Sequence, residues 1–349
     1  MSVSRELNLD LLRILGVFII MVAHASPPDW IFQLRNFGTP LLIVASALTY
    51  SVIFSSKTPQ AKSFYKKRLF RLILPAWLFV SFFFAFFFVF SYLLGVEYPF
   101  SLKKIVKTYL FYDGIGFVWI FKVYIILALI TPLALKMMKL PVSNTLYFLV
   151  LCVLYLLYEL LLATTVPFLS GLLLKLLNNT VFIIIPYAIL YAYGMRLSRL
   201  SDRQIVNVSL VFFLIFLIIS IEKYMDLGFF VPTQQYKYPP TIYYLSYAIA
   251  CLNLLYLLCR SLSEFNGVSR KIILWFSSNS LWVYLWHIMV FYLWDFSGIQ
   301  FQNVYLSFIL KATLMLSLGS ILTVIQLHLV VKFAPENTKV GRLIRSTLS

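Results

Sequence analysis

Apolar runs on the order of 20 residues, long enough to cross a bilayer as a helix, recur from one end of this 349-residue chain to the other. Short polar or proline-containing breaks separate them. Within hydrocarbon, only helices and closed barrels satisfy every backbone N–H and C=O, and these runs lack the strict alternation of a barrel strand. The expected spans are 9–25, 38–55, 72–95, 117–135, 144–166, 180–197, 206–224, 241–260, 278–296 and 304–332. No connecting segment is much longer than about 20 residues, which leaves no place for an appended globular domain. The expectation is an all-α polytopic membrane protein, about ten transmembrane helices forming a single domain over 1–349. Composition agrees: 12% of residues are charged, roughly half of what a soluble surface requires.

A net charge of +17 suggests nucleic acid until its placement is considered. With a cytoplasmic N-terminus, the inner segments hold Arg5, Lys57, Lys62, Lys66, Lys67, Arg68, Arg71, Lys136, Lys139, Arg196, Arg199 and Arg203. They also hold Arg260, Arg270, Lys271, Lys332, Lys339, Arg342 and Arg345, 19 in all. The outer segments hold 6: Arg35, Lys103, Lys104, Lys107, Lys175 and Lys237. Such asymmetry is the positive-inside pattern. It puts both termini in the cytoplasm and makes nucleic acid an unneeded partner, with membrane lipid the expected one. Ala23-His24-Ala25 imitates a signal-peptidase site, but Asp10 and Arg13 interrupt the apolar stretch and nine further spans follow, so the segment reads as a retained first helix. Cys152, Cys251 and Cys259 fall within spans as small hydrophobes. No His, Cys, Asp or Glu cluster has metal-ligand spacing, so no metal is expected. The sequence leaves oligomeric state open, a homo-oligomer included.

Titratable groups inside spans cost at least about 2.5–3.5 kcal/mol at the membrane centre, which makes them the first candidates for chemistry. The first span holds Asp10, Arg13 and His24. Arg13 and His24 are eleven residues apart, about three turns and roughly 16 Å along one helix face, with Asp10 one turn before Arg13. This stripe can be an interfacial ion pair followed by a loop-capping histidine. It can equally be catalytic, because an imidazole titrates near neutral pH and can take a proton from an attacking hydroxyl. In "KKRLFRLILP", Arg68 and Arg71 stand one turn apart before Pro75. They form either a guanidinium fork for phosphate groups or an anchor to anionic lipid headgroups.

The segments "LDLLRILGVFIIMVAH", "FGTPLLIVASAL", "RLFRLILPAW" and "SSNSLWVYLWH" together resemble the acyltransferase-3 family of bacterial membrane O-acyltransferases, over nearly the whole chain. The resemblance implies that Arg13 and His24, with Asp10 beside them, are catalytic and that Arg68 and Arg71 help to hold the phosphates of an acyl-CoA. It further implies a bacterial plasma-membrane enzyme moving an acyl group, most simply acetyl from cytosolic acetyl-CoA, to a hydroxyl of a cell-surface glycan or its lipid-linked precursor. Acetyl-CoA is then a donor substrate and not a tightly bound cofactor. Ser46-Ala47 replaces the family's Ser-Gly, and the extracytoplasmic hydrolase-like domain of many members is missing from this sequence. His287 also matches a family position, as a substrate-binding residue or simply as a hydrogen-bonding partner for a neighbouring helix. Tyr236 and Tyr238 in "YKYPP" could contact sugar or belong to an interfacial aromatic belt, and Lys122 could line the acceptor entrance. The competing expectation is an exporter or flippase of polysaccharide or lipid-linked sugar, with the intramembrane charges lining its path.

Overall fold

In a computed structural model, residues 6–56, 58–112, 114–262, 265–299 and 301–348 are described; Arg5 and Lys57 of the inner basic set lie outside them. The helices run α1 Leu7–His24, α2 Asp29–Leu34, α3 Gly38–Ile53, α4 Ala61–Leu94, α5 Leu102–Tyr109, α6 Trp119–Met138 and α7 Asn144–Thr165. They continue as α8 Gly171–Asn178, α9 Val181–Leu197, α10 Asp202–Leu227, α11 Ile242–Ser261, α12 Gly267–Ser297, α13 Val304–Phe333 and α14 Lys339–Leu348. Among the described residues, extended pairing is confined to a single bridge between Lys237 and Pro240. The protein is therefore an all-α polytopic membrane protein. Nine helical segments are both long and apolar enough to span a bilayer, counted over the described residues. The expected span 278–296 lies inside α12, whose Ser, Asn, Trp and Tyr content dilutes its hydropathy but whose 31 residues extend about 46 Å.

Helix α4 differs from the expected 72–95 span. It begins at Ala61 and runs 34 residues, about 50 Å, so the basic stretch is three turns of helix reaching beyond the hydrocarbon, with Lys62, Lys66 and Lys67 exposed. Pro75 lies inside this helix. Having no N–H, it leaves the Arg71 carbonyl without its i+4 donor.

The chain divides into two compact units, Met1–Thr58 with Ile130–Ser277, and Pro59–Leu129 with Ser278–Ser349. In the first, α3 and α11 are the most enclosed spans, two-thirds buried, whereas α10 keeps most of its surface outward, as lipid contact requires. Lipid tails are as apolar as leucine, so close backbone approach and interhelical hydrogen bonds, rather than hydrophobicity, select helix neighbours. Both devices are present. A Cβ on Gly16 of α1 would come within 2.6 Å of Leu42 on α3, and one on Gly194 of α9 within 2.8 Å of the Ala47 methyl. Tyr147 donates to the Ala192 carbonyl at 2.8 Å, Tyr158 to that of Phe182 at 2.8 Å, Tyr193 to Asn253 at 2.8 Å and Ser209 to the Ala250 carbonyl at 2.7 Å. Arg196, fully buried, has the role of a helix cap: its guanidinium donates to the carbonyls of Met138, Leu140 and Val142 at 2.9, 2.6 and 2.9 Å, satisfying the orphan acceptors at the end of α6.

The second unit is held by an aromatic core. Phe79, Phe83 and Phe87 recur every four residues on α4; Phe83 meets Phe100 at 5.4 Å and Tyr292 at 5.1 Å, and Phe79 meets Trp286 edge-on at 5.8 Å. Edge and tilted contacts of this kind match negative ring faces to positive ring edges.

Candidate active site

Helix α1 presents Asp10 and Arg13 to the interior of the first unit, as one-turn spacing requires. Asp10 is only 5% exposed. It accepts a 2.5 Å hydrogen bond from Ser277 Oγ and lies 3.9 Å from the Arg13 guanidinium. Arg13 donates through Nη1 to Ser277 Oγ at 3.3 Å and through Nη2 to Thr49 Oγ1 at 3.2 Å, and Thr49 is oriented by its own 2.8 Å bond to the Ala45 carbonyl. Three helices thus converge on one guanidinium: α1 carries it, α3 supplies Thr49 and α12, about three turns from its start, supplies Ser277. A buried carboxylate with a hydroxyl on each side removes rotamer freedom from Arg13 and balances its charge, while about a third of its side chain remains accessible. Such a group can orient an anionic or carbonyl oxygen without reorganising. Thr49 and Ser277 carried no separate signal in the sequence, although Ser277 opens part of the "SSNSLWVYLWH" segment.

At this end of the unit a cavity of about 340 Å³ is lined by Glu6, Ser51, Ser55, Met138, Ser198 and Arg199. Ser51 follows Thr49 by two residues on α3, so the cavity lies at the level of the first turns of α1.

His24 is the last residue of α1 and half-buried. Because the helix is unbroken between them, Arg13 and His24 are separated by roughly 16 Å of helix rise and do not touch. After His24, Ser26 adopts a left-handed backbone with φ 56°, and Pro27-Pro28 lead into the short α2. The chain then returns so tightly that a Cβ on Gly38 would fall 2.8 Å from Ile19. This close approach sets the corner Arg35–Phe37 at the same end of the unit as His24.

Tyr236 and Tyr238 belong to the same unit. The Tyr236 hydroxyl accepts from Lys223 Nζ at 2.9 Å and its ring stands edge-on to Tyr243 at 5.3 Å. Tyr238 is 43% exposed, with Lys237 Nζ 5.3 Å from its ring. Lys237 itself, counted from sequence only as an outer charge, is buried at 7% exposure. Desolvation, reinforced by the positive charge of Arg35, pulls its ammonium down to about 7.

Arg68, Arg71, Lys122 and His287 belong to the second unit. Arg68 is half-buried and Arg71 exposed, one turn apart on α4 as their spacing demands. Lys122 Nζ stands 5.3 Å over the Tyr112 ring. His287 is fully buried: its Nδ1 bonds to the Tyr284 carbonyl, and its ring lies 6.3 Å from Phe117. A Cβ on Gly319 would stand 3.4 Å from its backbone nitrogen, and Tyr284 is itself anchored to the Phe117 carbonyl at 2.8 Å. Among the described residues no group of three or more His, Cys, Asp or Glu converges as metal ligands would.

The family model described as an acyltransferase domain, of the acyltransferase-3 type, matches residues 6–325, from the first turn of α1 into α13. The chain belongs to this family. No curated protein and no solved structure matches it. The matched range takes in Asp10, Arg13, His24, Arg68, Arg71 and Ser277, so every element of the convergence on Arg13 lies within the acyltransferase domain. In this acyltransferase, Ala47 faces Gly194 across the α3–α9 contact. The close approach of α3 and α9 at this crossing depends on Gly194 having no side chain.

Proposed function

We infer that this membrane acyltransferase transfers an acetyl group from cytosolic acetyl-CoA to a hydroxyl of a cell-surface glycan or its lipid-linked precursor, in the bacterial plasma membrane. The carrying observation is Arg13, clamped by Asp10, Ser277 and Thr49 on the same helix as the intramembrane histidine of a chain that belongs to an acyltransferase family. The donor's phosphates are held by Arg68 and Arg71, whose paired guanidiniums suit phosphate oxygens. His24 takes the proton from the acceptor hydroxyl as its oxygen attacks the thioester carbonyl. The tetrahedral adduct collapses with cleavage of the C–S bond, and the proton on His24 passes to the departing CoA thiolate. Alternatively His24 is itself acylated by the thioester and then surrenders the acyl group to the hydroxyl; both routes give an O-acyl ester and free CoA. Arg13 acts at a distance from His24 by orienting the donor. Asp10 positions Arg13.

The test is CoA release and acyl transfer by purified protein in lipid nanodiscs, with His24→Ala and the Arg68→Ala/Arg71→Ala pair compared with wild type. His24→Ala should lower turnover by at least 10²-fold, the usual scale for a general base, and the arginine pair should raise KM for acetyl-CoA. Wild-type turnover in His24→Ala would remove the assignment.

A further inference from the structure

At the end of the first unit that holds His24, the segment 233–240 is pinned onto the corner between α2 and α3. Thr233 Oγ1 accepts from Gln33 Nε2 at 2.7 Å and from Asn36 Nδ2 at 2.8 Å, and the Thr233 N–H donates back to Gln33 at 3.2 Å. This pinning brings two cations into one neighbourhood. Arg35 lies with its guanidinium 3.7 Å over the Phe32 ring, and its charge is felt at buried Lys237. Among the described residues no carboxylate pairs with Arg35, and its Nε is buried without a hydrogen-bond partner. Glu159 accepts through Oε1 from the Ile242 N–H and the Tyr155 hydroxyl.

Among the described residues, the same region holds buried polar side-chain atoms that lack a hydrogen bond, Asn36 Oδ1, Gln234 Oε1 and Thr241 Oγ1, while the hydroxyls of Tyr187 and Tyr244 bond to each other. Thr241 and Tyr244 stand one turn apart at the start of α11, and Tyr244, itself wholly buried, lies within range of the Arg35 charge. Buried polar groups are normally satisfied, and a guanidinium Nε left without an acceptor in a low-dielectric site is costly. The cluster reaches the surface through half-buried Arg35 and exposed Tyr238.

We propose that Arg35 and Lys237, with the hydroxyls of Thr241 and Tyr244, form a binding site for an oxyanion, phosphate or carboxylate, carried by the acceptor, so that this acyltransferase selects an anionic glycan over a neutral one. The proposal rests on the reading of the chain as a glycan acyltransferase. One guanidinium and one ammonium supply the charge, the hydroxyls supply neutral donors, and the position beside the His24 end brings a sugar hydroxyl near the imidazole.

The experiment measures equilibrium binding to the full-length protein in neutral phosphatidylcholine nanodiscs, without acyl donor, using glucose 6-phosphate, glucuronate and glucose. One or both of the anionic sugars should bind at least tenfold more tightly than glucose, the stronger one naming the oxyanion. Arg35→Gln and Lys237→Gln should each weaken that binding tenfold or more, with Lys237→Arg retaining it. Because the wild-type comparison among sugars stands alone, a poorly folded variant does not shield the proposal. Equal binding of all three sugars, or undiminished anion binding in folded Gln variants, would overturn it. So would loss of discrimination with competition by phosphatidylglycerol, which would assign the cluster to lipid headgroups. Since no acyl transfer is measured, failure of the His24 assignment leaves this readout intact.

Discussion

Lys237 enters the molecule at a cost that depends on pH. Its ammonium titrates at about 7 when folded, against a usual 10.5, because burial removes water and Arg35 adds a like charge. Facing it are Arg35 from the α2–α3 corner, Tyr238 beneath its Nζ, and Tyr244 of α11 beside Arg35. Between pH 7 and 10.5 the unfolded chain binds more protons at this residue than the folded one, so its contribution to stability rises with pH through that window; below 7 the full penalty is present. Lys237→Met should therefore raise stability at pH 6 by an amount on the order of a few kcal/mol. The gain should shrink towards zero as pH approaches 10.5. Thermal midpoints of the two proteins across pH 6–10 check this, and a pH-independent difference would show that burial of the charge is not the cause. Arg13 illustrates the opposite solution, in which a buried carboxylate and two hydroxyls offset the charge.

At the scale of helices, the packing of α3 against α9 turns on two small residues. Adding a methyl at Gly194 would put carbon 2.8 Å from the Ala47 Cβ and 3.2 Å from the Val44 backbone, closer than van der Waals contact allows. Gly194→Ala should destabilise by about 1–3 kcal/mol, the usual range for overpacking. Combining it with Ala47→Gly should recover part of that loss, since one methyl is exchanged for another across the same contact. Thermal melts of the two singles and the double, in one detergent, measure the coupling. Additive losses would mean that the two helices do not meet at these residues.

For the molecule as a whole, the uneven distribution of Lys and Arg over alternate connections predicts an orientation. In a background lacking Cys152, Cys251 and Cys259, Lys103→Cys on α5 should react with a membrane-impermeant maleimide in intact cells. Lys66→Cys on α4 should react only after permeabilisation. The reverse pattern would invert the topology and place the arginine pair of α4 on the outer side, which would overturn its proposed role in holding a cytosolic donor.

Much of this was legible in the chain itself. Hydropathy and chain length are local properties, so the all-α membrane class and most span positions followed from the sequence, including the stripe of Asp10, Arg13 and His24, whose shared face depends only on 3.6 residues per turn. Helix α4 exceeded its expected span because a basic stretch outside hydrocarbon still has helical propensity. What the tertiary structure decided were the partners. Ser277 meets Asp10 across 267 residues of chain, Gln33 meets Thr233 across 200, Arg196 caps α6 instead of merely marking the inner side, and Arg35 shares its surroundings with Lys237. In lipid, neighbours are chosen by the fit of small residues and by polar groups finding one another, and neither leaves a periodic trace in the sequence of any single helix.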